Sequence, residues 1–440
     1  MAALTPADIL ARVEHDQIKF IVLQFTDLMG TIKSQTIPAR HLAEAFDHGA
    51  WFDGSSVEGF ARVAESDMYL NPDPATFAVL PWLAGEEATA RLICNVHTPT
   101  GELFAGDARY VLARGLEEAG KLGFTYNTGP ELEFFLLHVQ GDGRATPPQP
   151  QDETGYFDSP TDQAAGLWRR MVSTLDAFGI VVEAMHAEVS NGQHEIDFNY
   201  SNALTTADNA VTFRFVLQLL AQQAQLHASF MPKPFRGING NGMHVHQSLF
   251  YQANGSNAFV DPGDPHGLST TAKHFIAGQL AHARGLSAVV APQVNSYKRL
   301  VPGYEAPVYI SWGRINRSAL IRVPRAARLE STRIELRCPD PSCNPYLAFA
   351  AMLAAGLDGI RRELPAPEAT NENLYLDTER RAGMRTLPTS LKEALDELEK
   401  DQVICDALGP HVIERFLRAK RLEWDDYQLE VTPWEWSKYL

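Results

Sequence analysis

An α+β fold is predicted, with a small, mostly-β N-terminal domain followed by a large domain of strands and helices. Three observations carry this. "KFIVLQFTDLMGTIKSQTIP" reads as two strands around a turn near Gly30, and strands with short helices continue to about residue 104. "GELFAGDARYVLARGLEEAG" then holds a boundary, with Asp107 capping a new helix, so the domains are expected at 1–105 and 106–440. Beyond it, four short stretches alternate strictly between apolar and polar residues, separated by helical patterns near 161–178, 206–227, 269–286 and 345–360. A helical region is expected from about residue 390 to the C-terminus.

At the start of the chain, Thr5-Pro6-Ala7-Asp8 gives a cap, a proline at the first helical position and an acid in the first turn. The N-terminal twenty residues are charged throughout, so no signal peptide is expected. No run of about 18 apolar residues occurs, so no membrane span is expected. "QGDGRATPPQPQDETG" reads as a Pro/Gly-rich surface loop within the large domain. The 440 residues are 45% hydrophobic and 21% charged, as in an ordinary soluble globular protein with a large core. A net charge of −16 argues against general binding to nucleic acid or anionic membranes. Cys94, Cys338, Cys343 and Cys405 show no CxxC or zinc-like spacing and are expected as reduced thiols in a cytoplasmic protein.

The alternating stretches carry the chemistry. In "GPELEFFLL", Glu131 and Glu133 share one strand face and Leu132 and Phe134 the other. Two carboxylates roughly 7 Å apart at strand spacing repel each other, and burying them unpaired costs several kcal/mol. "EAMHAEVSNGQHEIDFNY" carries Glu188, then places Glu195, Asp197 and Asn199 on one face. "NGNGMHVHQSLF" does the same with His244, His246 and Ser248, and "TRIELRCPD" with Arg333, Glu335 and Arg337. Each stretch is apolar on its back. A merely solvated face would favour Lys, Thr and Ser, yet these front rows hold no Lys and set their acids among His and Arg. That composition points to a site. Glu131, Glu133, Glu188, Glu195 and Glu335 with one imidazole form a hard-ligand set, suited to Mg²⁺ or Mn²⁺, and their number suggests more than one ion. Metals at that density usually handle phosphates. Lys298, Arg299, Arg317, Arg322 and Arg325 sit among apolar residues and prolines rather than on a polar helix, and arginine grips phosphate and carboxylate bidentately. There is no P-loop or Rossmann fingerprint, so any ATP would bind on a metal-lined sheet.

Taken together and in order, "FDGSS", "GPELEFF", "HEID", "KPFRGINGNGMHVHQSL", "NSYKRLVPGYEAP", "NRSALIR" and "IELRCPDPSCNPYLA" resemble type I bacterial glutamine synthetases from about residue 16 to the end. The resemblance implies a β-grasp-like small domain and a large domain with a curved antiparallel sheet, as in the glutamine synthetase/guanido kinase-like fold. It implies two or three Mg²⁺ or Mn²⁺ ions per subunit. One would be held by Glu133, Glu188 and Glu195, and a second by Glu131, His244 and Glu335. Glu183, His246, Ser248, Arg317, Arg322 and Arg333 match nucleotide-contacting positions. Asn239, Gly240, Arg299, Glu305, Arg317 and Arg337 match positions around the substrate glutamate. Glu305 lies on a flap over the intermediate, and Asp53 matches a residue that helps bind ammonium in a neighbouring subunit's site. With Arg317, these two form the implied catalytic set.

The implied reaction joins ammonia to L-glutamate through γ-glutamyl phosphate at the expense of ATP. The implied assembly is a dodecamer of two hexameric rings, locked by the aromatic tail "EVTPWEWSKYL". "EVSNGQHE" and the chain length resemble the shorter branch of the family. Arg62 then matches an arginine of feedback inhibition. Tyr375 aligns with the tyrosine modified in the other branch, but its surroundings differ, so modification is not expected. An alternative on the same scaffold is a ligase for methylamine or a polyamine, and Asp53 and Glu305 speak for ammonia. A non-catalytic relative should have lost metal ligands, and a guanidino kinase would need a reactive-cysteine context that is absent.

Overall fold

The computed structural model describes residues 4–57, 67–138, 155–159, 162–377 and 381–440. Arg62 lies outside them. Helix α1 (Pro6–His15) starts as its sequence dictates, with Thr5 and Asp8 forming a reciprocal capping box. Strands β1 (Phe20–Thr26) and β2 (Ile32–Pro38) pair antiparallel across the predicted turn, where Gly30 takes φ +84°. Helix α2 (Leu42–His48) and strands β3 (Ala50–Asp53), β4 (Asp67–Pro72), β5 (Ala78–Val79) and β6 (Thr89–His97) complete the first unit. Its sheet runs β2-β1-β6-β4-β3, with β5 also on β6. The central β1–β6 pair is parallel and the remaining pairs are antiparallel. Ile9, Ile21, Leu42, Leu70, Leu92 and Val96 fill its core.

Helix α3 (Ala108–Lys121), capped by Asp107, opens the second unit. There follow β7 (Phe124–His138), α4 (Asp162–Ala177), β8 (Val182–Ala187), β9 (Gln193–Phe198), β10 (Ser201–Asn202), α5 (Ala203–Gln223), β11 (Leu226–Ser229) and β12 (Met243–Tyr251). Next come α6 (Thr270–Ala281), α7 (Ala283–Val290), α8 (Ser296–Arg299), β13 (Trp312–Arg314), β14 (Ile321–Val323), β15 (Ile334–Leu336) and α9 (Pro345–Arg361). The sheet runs β13-β14-β15-β12-β7-β9-β8, with β10 and β11 also on β7, and is antiparallel except for β13–β14. Among the described residues, helices at 391–398, 402–408, 410–429 and 433–439 follow. The last one exposes Trp434, Trp436 and Tyr439.

Two helices differ from expectation for local reasons. The one expected to reach residue 227 ends at Gln223, because Gln225 takes φ +59°, which a helix cannot continue, and β11 begins there. The one expected over 269–286 breaks at His282. That imidazole bonds Asp401 through Nδ1 at 2.8 Å and Asp358 through Nε2 at 3.0 Å, tying the break to two other helices. Helices α6 and α9 meet backbone to backbone, since a Cβ on Gly278 would lie 2.1 Å from the Ala355 carbonyl.

The two units are interlocked. The Arg109 guanidinium donates to Asp73 (2.7 Å) and Asn95 (2.8 Å) on one side and to Asp208 (3.0 Å, twice) on the other. The Tyr346 hydroxyl also donates to Asp208, at 2.7 Å. Arg214 reaches the Gly30 carbonyl, and Asn344 those of Asp27 and Leu28.

Candidate active site

The alternation read from sequence becomes a cross-strand carpet. His244 lies opposite Glu131, Glu195 opposite Glu133, Asp197 opposite Glu131 and His186 opposite Glu195. Glu335 faces His246 on one side and Arg322 on the other. Behind them Leu132, Phe134, Ile196, Val245, Ile334 and Leu336 are fully buried in the main core. The strands therefore present every acid forward because the apolar residue beside it must point back.

The front face lines a cavity of about 240 Å³ whose walls hold Glu131, Glu133, Glu188, Glu195 and Asp197 together with Arg317, Arg322 and Arg337. A second cavity of about 270 Å³ lies alongside, with Asn127, Glu183, Tyr200, His246, Ser248 and Arg333 in its walls. Glu131 and Asp197 line both. Among the described residues, three groups of side chains bring ligand atoms within 4.8 Å of one another: Glu131, His244 and Glu335; Glu133, Glu195 and His244; and His186, Glu188 and Glu195.

The electrostatics show what such a face lacks. Burial, then the facing Glu195, pushes the Glu133 carboxyl well above the usual carboxylate range. Burial, then Asp197, does the same to Glu195. Asp197 is pushed up to about 7 by burial and then by Glu131, and its Oδ1 is buried without a hydrogen-bond partner. Two acids are held low instead. Burial would raise Glu131, but His246, at 2.6 Å from Nε2, and His244 outweigh it. Burial would raise Glu335, but Arg337 (Nη1 at 2.5 Å) and His246 hold it down, and Arg322 also bonds it. Burial and then Arg337 push His244 down to about 4, so its ring is neutral at pH 7 and keeps a free lone pair. A divalent cation is what this donor set fits. It would meet hard oxygens and a neutral imidazole, and supply the positive charge that Glu133 and Glu195 need in order to ionise.

One family model, "Glutamine synthetase, catalytic domain", matches residues 105–439, and a second, "Glutamine synthetase, beta-Grasp domain", matches residues 17–99. The chain belongs to the glutamine synthetase family. A glutamine synthetase of Methanosarcina mazei is 52% identical over 440 residues, spanning 99% of this chain and 98% of the relative. One of Thermus thermophilus is 52% identical over 444 residues, spanning 99% of each. A solved structure described as "GmaS/ADP complex-Conformation 1" superposes with a TM-score of 0.87 at 34% identity, over 98% of this chain and 99% of that one. Glutamine synthetase membership implies an ATP-dependent ligase that uses a divalent metal.

Most of the residues singled out in the sequence lie in the two cavities. Asn239, Gly240, Arg299 and Glu305 join the acids and Arg317, Arg322 and Arg337 in the first. Glu183, His246, Ser248 and Arg333 line the second. Arg322, matched to nucleotide contacts, lines the acidic cavity and bonds Glu335. Arg299 is buried, and its guanidinium already donates to the carbonyls of Arg337, Cys338 and Pro339. Glu305 sits at φ +55° and accepts from Asn239 Nδ2 at 3.3 Å, while Lys233 Nζ lies 3.9 Å from the centre of the neighbouring Tyr304 ring. Asp53 ends β3, is exposed, and lines neither cavity; its carboxylate caps Ser55 N at 2.9 Å. The Tyr375 hydroxyl lies 3.4 Å from the Arg317 carbonyl.

Of the metal sets implied by resemblance, Glu131, His244 and Glu335 lie within 4.8 Å of one another. Glu133, Glu188 and Glu195 do not form a single group, because Glu188 meets Glu195 through His186. His186 was missed, although its two-residue spacing from Glu188 places it in the same alternation. Gly242 was missed too. A Cβ there would lie 2.6 Å from Arg299 Nη2 and 2.9 Å from His244 Nε2, and its amide donates to Glu133 Oε2 at 2.8 Å. Gly240 instead abuts the Pro232 carbonyl.

Proposed function

We propose that this chain joins ammonia to L-glutamate in the cytoplasm, driven by ATP, through γ-glutamyl phosphate. The observation that carries the reading is the pair of cavities sharing Glu131 and Asp197: one lined by acids and arginines, the other by Glu183, His246, Ser248 and Arg333. The relative solved with ADP supports the nucleotide part.

In the proposed division of labour, Glu183, His246, Ser248 and Arg333 hold the nucleotide. Asn239, Gly240, Arg299 and Arg337 surround the glutamate. Glu131, His244 and Glu335, with Glu133, Glu188 and Glu195, hold two or three Mg²⁺ or Mn²⁺ ions, which when bound neutralise the phosphate oxygens. A γ-carboxylate oxygen attacks the γ-phosphorus, the bond to the β-phosphate oxygen breaks, and Arg317 and Arg322 stabilise the transferred charge. Ammonia then attacks the acyl carbon and phosphate leaves. Ammonium has no lone pair, so it must first lose a proton, for which Glu305 and a neighbouring subunit's Asp53 are the proposed carboxylates. The flap excludes water from the acyl phosphate. Because Arg109 locks the small unit to its own large one, Asp53 can serve a site only from a fixed position. This fits a proposed dodecamer of two hexameric rings joined by the exposed aromatic tail.

Purified protein with Mg²⁺, ATP and glutamate should release phosphate fastest with ammonium. Equal or faster release with methylamine or putrescine would move the reading to an amine ligase. Light scattering should give twelve times the 48.7 kDa chain; an active monomer would contradict the shared site.

A further inference from the structure

Of the four arginines that line the acidic cavity, Arg299 donates to backbone carbonyls, and the other three are held in different ways. Arg322 and Arg337 are pinned through their guanidinium groups onto Glu335. Arg317 has no carboxylate within 4 Å among the described residues, and it is exposed. A guanidinium left free for a ligand must owe its placement to its backbone, since a loose root would spread the head over several rotamers and cost entropy on every encounter.

The root is held from the side. The turn Asn316-Arg317-Ser318 lies between β13 and β14, just after Ile315, a β-branched residue at φ +62°. That conformation is costly and persists only where neighbours over-determine it. Asn316, 9% exposed, donates from Nδ2 to the carbonyls of Thr370 (2.8 Å) and Glu372 (2.9 Å). Its Oδ1 accepts from the Ser318 amide (3.0 Å) and from the Ser318 hydroxyl (2.7 Å). Ser318 Oγ, in turn, accepts from the Leu374 amide at 2.9 Å. Thr370 N donates to the Trp312 carbonyl at 2.8 Å, and a Cβ on Gly313 would lie 2.1 Å from the Thr370 oxygen, so the strap has no room to shift towards the strand. The Tyr375 hydroxyl closes the loop on the Arg317 carbonyl.

We propose that Asn316 and Ser318 are positioning residues for the ligase reaction, clamping a strap of residues 370–375 to the turn so that Arg317 enters the cavity in one place. Neither residue reaches the reacting atoms; each acts through Arg317. The proposal rests on the role given to Arg317 above.

The test is a double-mutant cycle in the metal-loaded enzyme, following phosphate release from labelled ATP with glutamate and ammonium. Asn316→Ala should lower kcat by roughly 10- to 100-fold, as removal of a buried two-bond amide between carbonyls displaces a charged group. In an Arg317→Ala background the same change should cost less than about twofold, because the group it positions is gone. A merely structural role would cost the same factor in both backgrounds, and that result would overturn the proposal. So would an Asn316→Ala enzyme of wild-type rate beside a crippled Arg317→Ala. Wild-type activity of Arg317→Ala alone would instead sink the role of Arg317, a separate result. Should Asn316→Ala fail to assemble, Ser318→Ala removes one hydroxyl from the same chain of bonds and must show the same non-additivity.

Discussion

The two faces of the nine-stranded sheet are built on opposite principles. Behind, Leu132, Phe134, Ile196, Val245, Ile334 and Leu336 pack with no exposed surface. In front, like charges face each other across neighbouring strands at Glu133–Glu195 and Glu131–Asp197, an arrangement that opposes folding. The comparison teaches that stability and function here belong to the same residues' neighbours rather than to separate regions. The back holds the strands flat against the core, and the front stores unfavourable charge that a cation relieves.

The back should be the costlier face to damage. Phe134→Ala is expected to lose about 3–5 kcal/mol of stability, read as a lower urea midpoint, since a fully buried ring leaves a cavity the core cannot fill. The front should respond in the opposite sense. Glu195→Gln is expected to lower kcat by roughly 10²- to 10³-fold, yet its metal-free melting temperature should equal or exceed that of wild type, because the repulsion from Glu133 is gone. A matching loss of metal-free stability would erase the contrast between the faces.

A divalent cation should then stabilise the front by linkage, about 2.7 kcal/mol at a hundredfold excess over Kd. The sign with pH follows from Glu133 and Glu195, whose folded carboxyls titrate above their unfolded values. The metal-free fold keeps protons that the unfolded chain has released, so its stability should fall as pH rises above about 4. Metal must displace those protons, so metal-induced stabilisation should grow over the same range. Calorimetry in two buffers of different ionisation enthalpy would read the proton release, and a buffer-independent heat would refute it.

The smallest effect concerns the helical layer. Burial alone would lower His282, but its bonds to Asp401 and Asp358 raise it, so its stabilisation is complete below about pH 6.5 and is lost as pH rises through the raised value. Wild type should exceed His282→Gln in melting temperature at pH 6 by more than at pH 9. Arg362 also bonds Asp358, at 2.9 Å.

The sequence disclosed the site where its chemistry rides on a strict period. Glu131, Glu133, Glu195, His244, His246 and Glu335 could be read because a two-residue repeat assigns each a face. It disclosed less where tertiary contacts decide. The break at His282 depends on Asp358 and Asp401, distant in the chain. Which glycine of "NGNG" lies against Arg299 and His244 depends on tertiary packing. Asn316 and Ser318 bond backbone carbonyls and amides of the strap, and such partners leave no mark in residue identity. His186 was legible by its two-residue spacing from Glu188, although in the structure a bulge between Val182 and Ala184 interrupts the alternation nearby.

Deleting a single codon between Glu131 and Leu137 would do more harm than any substitution there. With Leu132 deleted, every downstream side chain of β7 would exchange faces, sending Phe134 into the acidic cavity and Glu133 into the core. The same holds for β9 and β12, which pair with β7 residue for residue. Mutational drift in this chain is therefore free to change letters across the sheet but not to change their count by one, and in a random-deletion library these three strands should appear as gaps among the survivors.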